Sequence, residues 1–219
     1  MEKQNCTEIV FILDRSGSMA GLECDTIGGF NSMIKRQQAE PEGDVLVSTV
    51  LFNHDSKVLH DRVPLEKIEP LTLKEYEVGG MTALLDAVGD AIRHIKNVHK
   101  YAREEDRPQK TVFIITTDGM ENASKWHSYA EVKRLINQQK EKGWVFIFLG
   151  ANLDAAEVAD HIGIDASRAV NYHSDEIGTQ KIYGAMSHFI MESRTMRGSR
   201  PGNDWRKDID EDFDRRKRR

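Results

Sequence analysis

Asp14-Arg15-Ser16-Gly17-Ser18 gathers one carboxylate and two hydroxyls into a short glycine-containing turn. These are hard oxygen donors. They suit Mg²⁺ or Mn²⁺, and nothing in the turn suits a soft metal. One carboxylate beside two neutral hydroxyls leaves most of a divalent charge uncancelled. An ion held there would still attract an anion from outside. Two further stretches offer the same donor type: Asp118-Gly119, and Thr82 after Gly79-Gly80-Met81.

These donors need elements that bring them together. Ile9 to Leu13 is an unbroken apolar run with the length and β-branching of a strand buried on both faces, and it stops abruptly at Asp14. Thr111-Val-Phe-Ile-Ile-Thr-Thr is a second such run, ending at Asp118. In an open α/β sheet, ligands sit outside the carboxyl ends of strands at the topological switch point. Both aspartates are delivered to that place. The Gly79-Gly80 loop opens an apolar-periodic segment and can reach the same rim.

In order, spacing and strand context, Asp14-x-Ser16-x-Ser18, Thr82 and Asp118 together resemble the metal-ion-dependent adhesion site of the von Willebrand factor A domain family. The likeness spans nearly the whole chain, and the cytosolic bacterial and phage branch of the family looks nearer than the animal adhesion receptors. In that family the first Asp and the two Ser ligate Mg²⁺, and the Thr and second Asp bind it directly or through water. The resemblance therefore implies those roles for Asp14, Ser16, Ser18, Thr82 and Asp118. It implies a Mg²⁺-dependent (or Mn²⁺-dependent) protein-recognition module rather than an enzyme. The partner is then a protein that offers an Asp or Glu carboxylate to the ion.

Strands and helices alternate along the chain. An apolar stripe over residues 21–38 reads as a helix, in which Gly28 and Gly29 suggest close packing against the sheet. Val45–Phe52 and Lys57–Val63, joined by Asn53-His54-Asp55-Ser56, read as an antiparallel hairpin. Leu84, Leu85, Val88, Ile92, Ile95 and Val98 mark a long amphipathic helix. Ser128 and Glu131 form a capping-box signal for the next. Trp144–Leu149 and Ala169–Tyr172 read as strands, with a short helix near 153–161 between them and a last helix after Ser174-Asp175-Glu176. The expected fold is α/β: a doubly wound, mostly parallel central sheet with one antiparallel edge strand and helices on both faces. The domain is placed at residues 5–197. Residues 198–219, an acidic cluster followed by a basic run, read as a charged, disordered tail.

Composition sets outer limits. The chain has 219 residues, 39% of them hydrophobic, which suits one well-cored domain. A net charge of −5 makes no general case for nucleic acid. No apolar run reaches the roughly 18 residues of a membrane span, and the amino terminus has no apolar signal region. The expected location is the cytoplasm, where Cys6 and Cys24 stay unpaired thiols.

Each residue has a plainer role available. Asp14 alone reads as a helix cap, and Ser16 and Ser18 as turn residues. Capping does not account for five ordered oxygen donors on two strand ends and a glycine loop. Glu121 and Asn122 read equally as rim or surface residues, and Arg15 as a cation steering a carboxylate or a solvated loop residue. The histidines, among them His54, His60, His94, His99 and His127, read as surface groups. The competing function is a Mg²⁺-dependent phosphatase of haloacid dehalogenase type, which also carries an Asp after its first strand. That chemistry needs a second Asp two residues on as general acid-base, and Ser16 occupies that position.

Overall fold

The apolar run from Ile9 to Leu13 forms the centre of β1 (Cys6–Asp14), which lies between two parallel neighbours, β2 (Asp44–Phe52) and β4 (Lys110–Thr117). The computed structural model describes residues 6–40, 43–195 and 201–217. Among these, the strands form a single six-stranded sheet in the order β3-β2-β1-β4-β5-β6, with β3 (Ser56–Pro64), β5 (Val145–Ala151) and β6 (Ala169–Tyr172) completing it. β3 alone runs antiparallel, against β2, and forms one edge. The strand order reverses between β1 and β4, so the switch point lies where their carboxyl ends meet.

Side chains of a strand alternate between faces. Ile9, Phe11 and Leu13 pack with Phe30 and Met33 of α1 (Glu23–Ala39) and Ile182, Met186 and Phe189 of α5 (Glu176–Thr195). Val10 and Ile12 pack on the other face. There they meet Val88 and Ile92 of α2 (Leu84–Tyr101), Val132 and Ile136 of α3 (Tyr129–Lys140), and Val158 of α4 (Ala155–His161). Burial on both faces explains why β1 and β4 are continuous apolar runs and not alternating ones. The hairpin, the capped start of α3, where Ser128 accepts from the Glu131 amide, and the remaining elements lie where the sequence places them.

Three expectations are corrected. Gly29 does make a close approach, but to a helix: a Cβ there would stand 2.2 Å from the ring of Tyr183 in α5, while Gly28 faces open space. His127 and His99 are not surface groups. The His127 ring is buried in the space that the missing side chain of Gly89 leaves, with Nε2 2.9 Å from Asp90. His99 Nε2 lies 2.5 Å from Glu8, a buried carboxylate of β1 that also accepts from Arg62.

The third correction concerns the tail. Residues 201–217 form a turn and α6 (Lys207–Lys217), which packs on the α5 side of the sheet. Trp205 and Ile209 are buried, and Phe213 stacks on His173 at 4.8 Å between centroids. These three residues recur at i, i+4 and i+8, so one helical face carries all of them. The rest of the segment expected to be disordered, residues 198–200 and 218–219, lies outside the described residues.

Arg216 ties α6 to the loop before α5 by pairing with Asp175 and, at 2.6 Å, with Asp212. Burial pushes both carboxyls up, but the hydrogen bonds and charge of Arg216 outweigh it and leave both below the usual carboxylate range. A depressed folded pKa contributes stability that is present above the unfolded value, about 4, and lost as pH falls through the folded one. Arg216→Ala should therefore melt lower than wild type at neutral pH. The gap should close on acidification below about pH 4, as followed by circular dichroism. A gap independent of pH would contradict this role.

Candidate metal centre

The rim at the switch point is built from three loops and a fourth contact from β6–α5. β1 ends at Asp14. One of its carboxylate oxygens accepts from the Ser16 amide at 2.7 Å, which closes a tight Asx-type turn. The other accepts from the Thr117 hydroxyl at 2.6 Å, which links the ends of β1 and β4. The buried Tyr76 hydroxyl donates to the Asp14 carbonyl and fixes the backbone there. Ser16 and Ser18 hydroxyls lie 3.0 Å apart, and Ser18 donates to Asp118. The other oxygen of Asp118 accepts from Ser174 at 3.3 Å.

Thr82 joins them through the glycine loop. Gly80 takes a left-handed φ of +80° and has room only for a hydrogen, since a Cβ would stand 2.2 Å from the His54 ring. Its carbonyl accepts from Gly17 at 3.0 Å, while Gly79 N donates to Arg15 O at 2.9 Å. Asn53 at the β2–β3 turn donates to Gly79 O at 2.7 Å. The loop is thereby stitched to the Asp14 turn. Gly119 marks the point of convergence. A Cβ on it would lie 3.0 Å from Thr82 Oγ1, 3.1 Å from Ser18 Oγ and 3.8 Å from Ser16 Oγ. All five expected residues thus meet in one place.

Burial raises the pKa of both carboxyls, and for Asp14 the nearby Asp118 raises it further. Among the described residues, their hydrogen-bond partners are hydroxyls and a backbone amide, not lysine or arginine. Two buried acids without a cation are a costly arrangement that a divalent ion would relieve. The donor set, two carboxylates and three hydroxyls, fits a hard cation. Among the described residues no cluster of three or more His, Cys, Asp or Glu offers another metal site.

Several residues escaped the sequence reading. Thr117 and Ser174 contact the two aspartates; the only signals were a hydroxyl one residue before Asp118 and a serine read as a helix cap. Glu121 and Asn122 are braces. Glu121 accepts from the amides of Leu85, Ala123 and Ser124 within 2.9 Å, and Asn122 exchanges hydrogen bonds with the Thr82 backbone. Asp86 accepts from three consecutive amides, Lys125, Trp126 and His127, within 2.9 Å. Arg15 donates to the Glu77 carbonyl at 3.2 Å. Asp86→Ala would leave three amide donors without that acceptor, a loss of about 1–3 kcal/mol for each donor left buried and unsatisfied. Faster amide exchange at residues 125–127 and a melting temperature lower by several degrees should follow. Unchanged exchange would refute the brace.

The profile of the von Willebrand factor type A domain matches residues 8–185. The chain belongs to that family. Solved structures of von Willebrand A proteins share the fold at low identity. Proximal thread matrix protein 1 from the mussel byssus, in a form whose metal-ion-dependent adhesion site holds zinc, is 17% identical with a TM-score of 0.57. The match covers 85% of this chain and 46% of that one. The von Willebrand domain of the pilus tip protein Mfa5 from Porphyromonas gingivalis is 10% identical with a TM-score of 0.61, covering 90% and 99%. A von Willebrand type A protein from Catenulispora acidiphila is 15% identical with a TM-score of 0.57, covering 86% and 43%. The chain thus spans less than half of the mussel and Catenulispora proteins. Comparison with curated proteins gave no match. Membership in this family supports a protein-interaction module.

Proposed function

We propose that this von Willebrand A domain recognises a partner protein through Mg²⁺ or Mn²⁺ held by Asp14, Ser16, Ser18, Thr82 and Asp118, and that the partner supplies one Asp or Glu to the ion. The observation that carries the reading is the convergence of three hydroxyls on Gly119 beside two buried carboxylates that, among the described residues, no lysine or arginine neutralises. When bound, the ion supplies an open, positively charged coordination position that prefers a carboxylate to a neutral oxygen. The protein's own part is to hold the donors. Asp14 and Asp118 furnish at most two negative charges. Ser16, Ser18 and Thr82 add dipoles without charge, so a divalent ion among them stays electrophilic toward an acid from outside. The stitched glycine loop and the Glu121 and Asp86 braces keep Thr82 and the Asp118 loop in place before a partner arrives, which lowers the cost of binding.

The module is read as non-enzymatic. In the phosphatase alternative the residue two after the aspartate must shuttle a proton. Ser16 lies there, with its hydroxyl 3.0 Å from that of Ser18, and is a poor acid at neutral pH. A cytoplasmic setting belongs to the same proposal, supported by the unpaired Cys6 and Cys24. The test is affinity capture with wild type and Asp14→Asn side by side, in Mg²⁺ and in EDTA, with hydrolysis of a generic phosphate ester measured in parallel. Proteins held only by wild type in Mg²⁺, and no hydrolysis, are expected. A physiological partner that binds equally in EDTA would refute the reading, and Mg²⁺-dependent hydrolysis lost in Asp14→Asn would favour the phosphatase.

A further inference from the structure

We infer that the groove between α1 and α5 is a dimer interface, filled by α1 of a second copy of the chain lying antiparallel. The groove has a volume of about 490 Å³ and uses none of the five residues of the metal centre. Asp25, Gly28, Gly29, Ser32, Met33 and Arg36 of α1 line one wall, and Gln180, Tyr183 and Gly184 of α5 line the other. Two of its glycines have no use within the chain. Gly28 and Gly184 stand inside helices, which glycine weakens, yet a Cβ on either would meet nothing within 4 Å. Gly29, by contrast, makes way for the Tyr183 ring. Gly28 and Gly184 leave room for a backbone from outside.

The charges on the α1 wall select the occupant. Asp25 lies in the first turn of α1 and Arg36 in the last, about 16 Å apart along the axis. Neither forms an ion pair among the described residues. An antiparallel copy of α1, related by a twofold axis between Phe30 and Asn31, sets Asp25 against Arg36, Gly28 against Met33 and Gly29 against Ser32. Each contact occurs twice, as a self-complementary interface requires. At the centre the exposed residues are Gly28 and Ser32, small enough to let the two helix axes approach closely. Antiparallel helices also bring opposite ends of their macrodipoles together. Gln180 and Gly184 on the α5 wall carry no charge to oppose either end. A foreign helix would have to match this order of acid, small residues and base, whereas a second copy has it already.

The test is sedimentation velocity of the full chain from about 1 µM to about 1 mM, the range of weak specific contacts. All runs are in EDTA, which keeps the metal rim out of the association. A reversible monomer–dimer equilibrium is expected. Asp25→Arg and Arg36→Asp each put two like-charge contacts into the dimer and should each weaken it at least about tenfold. Mixed in equal amounts, the two variants should associate as tightly as wild type, because each supplies the charge that the other lacks. The double variant Gly28→Gln, Gly184→Gln fills the groove and should stay monomeric. It should melt no lower than wild type, since neither new side chain is crowded in the monomer and glutamine is the better helix former. A wild-type chain that is monomeric throughout overturns the inference and leaves the groove to another occupant. A dimer that survives undiminished in a charge variant or in the glutamine variant overturns it as well, as do charge variants that stay apart when mixed.

Discussion

Asp14→Asn is expected to abolish Mg²⁺ binding while leaving the domain folded. Loss of residues that only support a metal ligand already costs about 10–100-fold in affinity. Asp14 is one of only two carboxylates in the set, so its loss should exceed that range in calorimetric titration. The amide keeps the shape of the side chain. Its oxygen still accepts from the Ser16 amide, and the Thr117 hydroxyl can turn to accept from its nitrogen. Asp14→Ala is the poorer probe, because it strands both donors in a buried site. The pKa shift adds a sign. Asp14 is raised in the folded state, chiefly by burial, so without an ion its ionised form costs stability, and the cost grows as pH rises through the folded value. In EDTA at neutral pH the Asn variant should melt no lower than wild type. Mg²⁺ should then raise the melting temperature of wild type alone. Equal Mg²⁺ affinity in the two proteins would remove Asp14 from the site.

Trp205→Ala should be strongly destabilising, although Trp205 sits in the segment that composition marks as a solvated tail. Its ring is buried and meets Phe189 of α5 edge-on at 5.6 Å, beside Ile209. Truncating a buried tryptophan costs about 3–5 kcal/mol. For a chain of this size each kcal/mol shifts the melting temperature by about 2–4 °C. A fall of about 10 °C by calorimetry is expected. A change of a degree or two would mean that α6 is only loosely attached.

The contrast between these two residues explains what the sequence carries. Asp14 is legible because the apolar run before it is buried on both faces and ends at one residue, so its position on the rim follows from strand geometry. Asp118 is legible for the same reason, and the antiparallel edge from the four-residue turn after Phe52. α6 is not legible by composition. Its anchors Trp205, Ile209 and Phe213 stand one helical turn apart in a segment otherwise almost wholly charged, and only their spacing, not the average, reveals a face. The supports of the site are hidden for a different reason. Glu121 and Asp86 act by accepting backbone amides of a loop without regular structure, and no side-chain pattern encodes where those amides point. Gly29 against Tyr183 and Gly89 against His127 are likewise pairings between distant elements, known only once the helices are packed.

The central claim is that a divalent ion sits among the five oxygens at the meeting of β1 and β4. The measurement that tests it most directly is paramagnetic broadening by Mn²⁺ in the amide NMR spectrum of the full chain. At substoichiometric Mn²⁺, the amides of residues 14–19, 79–83 and 118–121 should broaden first, with 173–175 following through Ser174, and added Mg²⁺ should restore them. In Asp14→Asn the same amides should stay sharp. Broadening centred instead on the exposed acids of α6, at Asp208 and Glu211, or spread evenly over surface carboxylates, would contradict the account.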